Sequence, residues 1–412
     1  MYRLNHLSRV ATLAALAGLA ACDNKAILLG PPAPAGGDIF TSYVAIGNSI
    51  TAGYQSGGIN DSTQRQSFAR LLSIQMGTQY HYASLQGRGC TPPIANTQTG
   101  ALVGTGSTST TCDLRAGASV TDVLNNVAVP GARVLDPIST STVASNALTT
   151  FILGGKSQVS KALDAKPTFA TIWIGNNDVL GAGITGLLVA NPAFGSPGIV
   201  STQAQFQASY DAMIKQLTDS APGIKGVLIG VVQVSGAAAM SAAAVIAASP
   251  AIQAGINAAT GKTVTIHPNC TGSTALIAVA QILGQIRSGA HPAIIACDKA
   301  TPGLPFPVGD LFVLDPAEQV TLSGAITAYN IYIATKAASI GFAYYDPNPL
   351  LASLRASGAV PPFPNLASAT ATFGNYFSLD GIHPAAAGHV VVANELIGVI
   401  NAKYGTKLSL VP

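Results

Sequence analysis

The chain has 412 residues, of which 48% are hydrophobic, 9% charged and 6% aromatic, with a formal net charge of +3. Its lysines and arginines are few and scattered, with no basic stripe and few aromatic side chains for base stacking, so a nucleic-acid partner is excluded. What remains is an extracytoplasmic globular protein.

In chain order, Arg3 and Arg9 precede an apolar stretch from Val10 to Ala21 that ends at Cys22. That stretch is shorter than the roughly 20 residues that span a bilayer, and its small-residue end suits cleavage, so residues 1–21 read as a signal peptide. Leu19-Ala20-Ala21-Cys22 looks like a bacterial lipobox, in which Cys22 is lipidated and becomes the first mature residue; an ordinary secretory signal or a buried helix are the alternatives. Residues 22–37, rich in Ala, Pro and Gly, read as a tether that holds the following domain off a membrane surface.

Tyr43-Val44-Ala45-Ile46 reads as a buried strand followed by turn and helix-cap residues, which places Ser49 where strand passes to helix, its hydroxyl at a positive helix end. The nucleophile elbow of α/β-hydrolases needs glycine two residues either side of its serine, but Thr51 stands at the second position, so that fold is disfavoured. A Gly/Ser/Thr-rich insertion is expected near residues 86–118. If Cys22 is lipidated, four cysteines are left in a compartment that permits disulfides. Nearness along the chain favours Cys90 with Cys112 and Cys270 with Cys297 among three connectivities; buried free thiols are the other possibility.

Two later stretches could supply donors for an oxyanion. In Asn126-Val127-Ala128-Val129-Pro130-Gly131-Ala132, Gly131 would present an N–H without a Cβ in the way, and at the polar end of the strand Thr171-Ile172-Trp173-Ile174, Asn177 would present an amide. Taken alone, either is a loop. Gly226 to Val232 reads as a core strand, Ala317 to Ile340 as a helix, and Phe342 to Asp346 as another strand, which makes the segment near 235–314 an insertion in a β-α-β rhythm. Within it, Ala237 to Ile246 is expected to be helical until Pro250, either as an apolar lid over Ser49 or as an Ala-rich helix packed on the domain.

Asp380-Gly381-Ile382-His383 closes the set. In one turn the Asp380 carboxylate can hold the His383 Nδ1–H and leave Nε2 to deprotonate a hydroxyl, with Pro384 in the first turn of a helix running through His389. Of the remaining histidines, His6 belongs to the signal, and His81, His267, His291 and His389 lie in no ligand spacing, so neither metal nor cofactor is expected.

In order, Gly47-Asn48-Ser49-Ile50, Gly131, Gly175-Asn176-Asn177-Asp178 and Asp380-Gly381-Ile382-His383 resemble the four blocks of the SGNH hydrolases, also called GDSL-type esterases and lipases. The resemblance runs from about Tyr43 to the C-terminal helix. It implies a flavodoxin-like three-layer α/β/α sandwich over residues 38–412. It also implies Ser49 as nucleophile, His383 as base and Asp380 as its orienting acid, with an oxyanion hole from Ser49 N–H, Gly131 N–H and the Asn177 amide. Asn48 departs from the family's usual Asp, keeping an acceptor and losing a charge. The expected protein is a monomeric, lipid-anchored carboxylic-ester hydrolase of the bacterial envelope. The same residues would serve a polysaccharide O-deacetylase or an acyltransferase, and a non-catalytic surface lipoprotein is the remaining alternative.

Overall fold

The computed structural model describes residues 37–104, 107–113, 122–139, 147–188, 201–298 and 311–412. The expected signal peptide, Cys22 and most of the tether lie outside them.

Four strands form a parallel sheet in the order β1 (Tyr43–Gly47), β2 (Phe169–Trp173), β3 (Lys225–Ile229) and β4 (Ala343–Tyr345). Tyr43 stands opposite Phe169, Phe169 opposite Lys225, and Val227 opposite Ala343. On the far side of β1 the segment around Asn126 continues the sheet, with Ala45 N donating to Asn125 O (2.7 Å) and Val127 N to Ala45 O (3.0 Å). The chain therefore steps to one side of β1 before it crosses to the other. That crossing is where open parallel sheets bind ligands, beyond the carboxyl ends of their strands.

β1 and β2 are buried along their whole length, as expected of parallel strands covered on both faces. Successive side chains point to opposite faces. Val44, Ile46, Ala170, Ile172 and Leu228 enter one core, and Tyr43, Ala45, Phe169, Trp173, Val227 and Ile229 enter the other. Helices supply the outer layers: α1 (Ser49–Ala52) sits at the sheet edge, α2 (Phe68–Met76) and α6 (Ala386–Tyr404) cover the second core, and α4 (Gln203–Ser220) and α5 (Pro316–Ile340) cover the first, while α3 (Asn177–Thr185) follows β2. This is a three-layer α/β/α sandwich.

Two local expectations are corrected. Residues 237–246 are not one helix: Met240–Ala242 is a strand, paired antiparallel with Leu276–Ala278, and only Ala243–Ala248 is helical. Pairing with residues 276–278 outweighs the helix preference of alanine, since propensity is a weak prior that tertiary context overrides. Pro250, expected only as a breaker, begins the helix Pro250–Thr260 at its first position, where it has no N–H to leave unpaired. Pro384 likewise stays outside α6. It bridges to Phe377 in extended conformation, Ala385 N donates to Tyr376 O (2.9 Å), and the helix starts at Ala386.

Around residue 240 the chain builds a subsidiary core from Ile246, Ile256, Ile277, Ile282, Ile286 and Ile295, with the Cys270–Cys297 disulfide inside it. Its first segment is pinned to the body. Ala239 N donates to Gly381 O (2.8 Å), and the Arg355 guanidinium donates to the carbonyls of Gly236, Ala237 and Met240. These bonds favour the packed element over the lid for residues 236–240. The second disulfide joins Cys90 to Cys112, and Cys90 N donates to Ile59 O (2.9 Å) in the loop after α1.

Candidate active site

β1 ends at Gly47, where a Cβ would come within 2.4 Å of Thr51 Oγ1 and 2.7 Å of the Trp173 carbonyl. Only glycine lets the chain turn this tightly against β2. Asn48 caps the turn, its Oδ1 accepting from Ile50 N at 3.1 Å. Asparagine thus does the capping work open to aspartate. Its Nδ2, however, is buried and has no hydrogen-bond partner among the described residues, which is the local cost of losing the carboxylate. Ser49 is the first residue of α1, so its N–H has no acceptor within the helix.

The Ser49 hydroxyl lies 2.9 Å from His383 Nε2, and His383 Nδ1 lies 2.8 Å from Asp380 Oδ2. Asp380 Oδ1 accepts from Ile382 N and His383 N, both at 2.9 Å, and from Ser378 Oγ at 3.1 Å, while Oδ2 accepts from Gly57 N at 2.8 Å. Burial alone would raise this carboxyl, but the facing His383 charge, its hydrogen bond and the backbone N–H groups outweigh burial and hold it far below the usual range. Asp380 is therefore an anion at any working pH. Nδ1 must carry a proton to meet it, which leaves Nε2 free to accept one from Ser49.

Several supports of this arrangement are not readable from the four blocks. The turn Gln55 to Gly58 puts Gly57 N against Asp380, and Ser56, in the left-handed region at φ 54°, receives Leu379 N on its hydroxyl and donates its own N–H to Ser378 Oγ. Tyr54 packs against the His383 ring at 4.9 Å between centroids. Burial, then the Asp380 charge, pushes its phenol up to about 12, so it stays a neutral donor, here to Gly57 O. Ser378, two residues before Asp380, is the one signal a sequence offers, as a hydroxyl placed for a local turn.

Gly131 adopts φ 84° after the segment beside β1, and Asn177 opens α3 after β2. Ser49 and Asn177 thus follow the ends of the adjacent strands β1 and β2, and Gly131 follows the segment bridged to the other side of β1. Asn177 Nδ2 donates to Ala132 O (2.9 Å), which leaves its second amide hydrogen available. Ser49, Gly131, Asn177 and His383 line one cleft of about 400 Å³. Gly175, at φ 112°, would place a Cβ 2.8 Å from Phe206 and Val231, so the turn into α3 also requires glycine. Beneath it Asp178 is buried, accepting from Val134 N (3.0 Å) and Ser201 Oγ (2.6 Å). Burial lifts its carboxyl to about 6. It ties the Gly131 loop to α3 and has no counterpart among the sequence-based assignments.

A serine hydroxyl, an imidazole and a carboxylate in series, at the carboxyl edge of a parallel sheet, define the class of serine hydrolases that work by nucleophilic catalysis. The chain matches the model of the GDSL-like lipase/acylhydrolase family over residues 43–396 and belongs to that family; it is a carboxylic-ester hydrolase. Among solved structures it is similar to a catalytic mutant of an acetylxylan esterase from Geobacillus stearothermophilus, with 11% identity over 93% of this chain and 100% of that one and a TM-score of 0.38. It is also similar to an extracellular lipase from Streptomyces rimosus, with 15% identity over 88% and 99% and a TM-score of 0.33. No curated protein matches it in sequence.

Proposed function

We propose that the protein cleaves esters through an acyl-enzyme on Ser49. His383 Nε2 takes the hydroxyl proton as Oγ attacks the acyl carbon, and Asp380 stabilises the imidazolium. The N–H groups of Ser49 and Gly131 and the free amide hydrogen of Asn177 receive the oxyanion. When the tetrahedral species collapses, His383 returns the proton to the departing alcohol; a water then repeats the sequence and releases the acid. The observation that carries this reading is the unbroken line from Ser49 Oγ through His383 to Asp380, 2.9 Å and 2.8 Å long at its two links.

The test is hydrolysis of p-nitrophenyl acetate by the domain starting at Asp38, against Ser49→Ala and His383→Ala. Each replacement should lower kcat by at least about 10³-fold while circular dichroism shows an unchanged fold. Full activity in Ser49→Ala would remove the acyl-enzyme. Adding a second alcohol as acceptor shows whether acyl groups are also transferred.

The two disulfides fit an oxidising, extracytoplasmic location. With Cys22 as lipid anchor and residues 22–37 as tether, the enzyme would work as a monomer at the surface of a bacterial envelope membrane. Metabolic labelling with a fatty-acid probe, lost in Cys22→Ser, tests the anchor.

A further inference from the structure

Space around Ser49 is divided unequally. On one side the cleft of about 400 Å³, bordered by Tyr54, Thr91, Gly131 and the Cys90–Cys112 disulfide, has room for a large group. On the other side is a pocket of about 50 Å³ walled by Leu180, Val234 and Ala237. Ser49, Asn177, Leu180 and His383 border both, so a bond cleaved at Ser49 would separate a group in the cleft from a group in the pocket. A water-sized group needs roughly 10–15 Å³ of such space, so the pocket admits only a few carbons.

The pocket does not end in solid core. Ile50, Val232 and Ile382 line it, and the same three residues line a third, apolar cavity of about 80 Å³ that is partly open to the surface, among Trp173, Leu350, Leu354, Phe377 and Val391. Ile50, Val232 and Ile382 are the residues common to the two linings. Each of the three is also fixed by its backbone N–H: Ile50 N donates to Asn48 Oδ1 (3.1 Å), Val232 N to Asn176 Oδ1 (3.0 Å) and Ile382 N to Asp380 Oδ1 (2.9 Å). The backbone that carries these three residues is therefore anchored to Asn48, Asn176 and Asp380 beside the active site.

We propose that Val232, with Ile50 and Ile382, is a gate that sets acyl length: the native enzyme takes esters of short acyl groups on bulky alcohols, and the apolar cavity behind the gate is a latent extension of the acyl pocket. This rests on Ser49 being the nucleophile. The apolar, narrow side suits the acyl chain and the wide side, with the Tyr54 and Thr91 side chains at its border, suits the alcohol. Trimming the gate changes side chains only and leaves the three anchoring backbone bonds in place.

The experiment compares p-nitrophenyl acetate, butanoate and octanoate with the parent, Val232→Ala, and Val232→Ala combined with Leu354→Trp, which fills the far cavity. The ratio of kcat/KM for octanoate to that for acetate should rise about 10-fold or more in Val232→Ala, the scale on which apolar pockets discriminate methylene groups, and should fall back in the double variant. If Val232→Ala does not fold, Ile382→Val trims the same barrier more gently. An unchanged ratio in a folded, active gate variant overturns the gate alone. A gain that survives Leu354→Trp also overturns it, because the chain would then lie elsewhere. A folded parent inert on all three esters overturns the esterase mechanism and the gate with it.

Discussion

Asp380 receives donors from Gly57, Ser378, Ile382 and His383, so an amide in its place must turn an N–H toward another donor or toward the imidazole. Asp380→Asn should therefore lower kcat roughly 10³- to 10⁴-fold by stabilising the wrong tautomer, with little change in KM. Two other buried groups act on stability in opposite senses. Asp178 is lifted to about 6 by burial, so from its ordinary value of 3.8 up to 6 the folded chain holds a proton that the unfolded chain has lost, and stability falls as pH rises. His389 is lowered to about 3, by burial and then by the charge of His383. Between 6.5 and 3 the unfolded chain binds a proton that the folded chain refuses, so stability falls as pH drops. Asp178→Asn should thus gain relative to the parent between pH 4 and 7, by up to about 3 kcal/mol at roughly 1.4 kcal/mol per pH unit, whereas His389→Gln should flatten the acid side of the profile. Urea denaturation at pH 4, 5.5 and 7 measures both, and parallel profiles would remove the linkage. At this scale Ser49, Asp380 and His383 are legible because each sits in a short motif whose chemistry is local. Gly57 is not, because its bond to Asp380 crosses 323 positions and nothing near Gly57 signals it.

Among the elements, strands announce themselves where burial is two-sided: the apolar runs from Tyr43 and from Thr171 fall in the strands Tyr43–Gly47 and Phe169–Trp173, the second beginning two residues earlier and ending one residue earlier than the run suggests. The stretch from Ala237 is misread for the converse reason. Alanine has no strong strand signal, and only the partner at Leu276–Ala278 makes Met240–Ala242 a strand. The subsidiary core that results is small and relies on its covalent link. Closing 27 residues by Cys270–Cys297 should contribute on the order of 3–4 kcal/mol by restricting the unfolded chain. Replacing both cysteines by alanine should lower the stability of this region to protease before the central sheet opens, as seen by limited proteolysis with mass mapping. Simultaneous loss of both regions would show that they unfold as one unit.

For the molecule as a whole, that region is part of the architecture of the site, because Ala239 holds Gly381 in the turn that carries Asp380 and His383. Deleting Ala237–Ala248 is therefore expected to abolish turnover of acetate and octanoate esters alike, while a change confined to long esters would restore the lid. The sandwich itself is legible from the succession of strands and helices. Which cavities flank Ser49 is not, since their walls come from side chains as distant in sequence as Val232 and Ile382.

Ser49 and His383, the proposed nucleophile and base, are 334 positions apart, one beside the first strand and the other just before the last helix. Synthesis from the N-terminus makes Ser49 long before His383 exists. If His383 is the base, the growing polypeptide cannot cleave an ester until the turn before α6 brings His383 to Ser49. On the proposed mechanism this connectivity delays ester cleavage until the last element of the fold is in place.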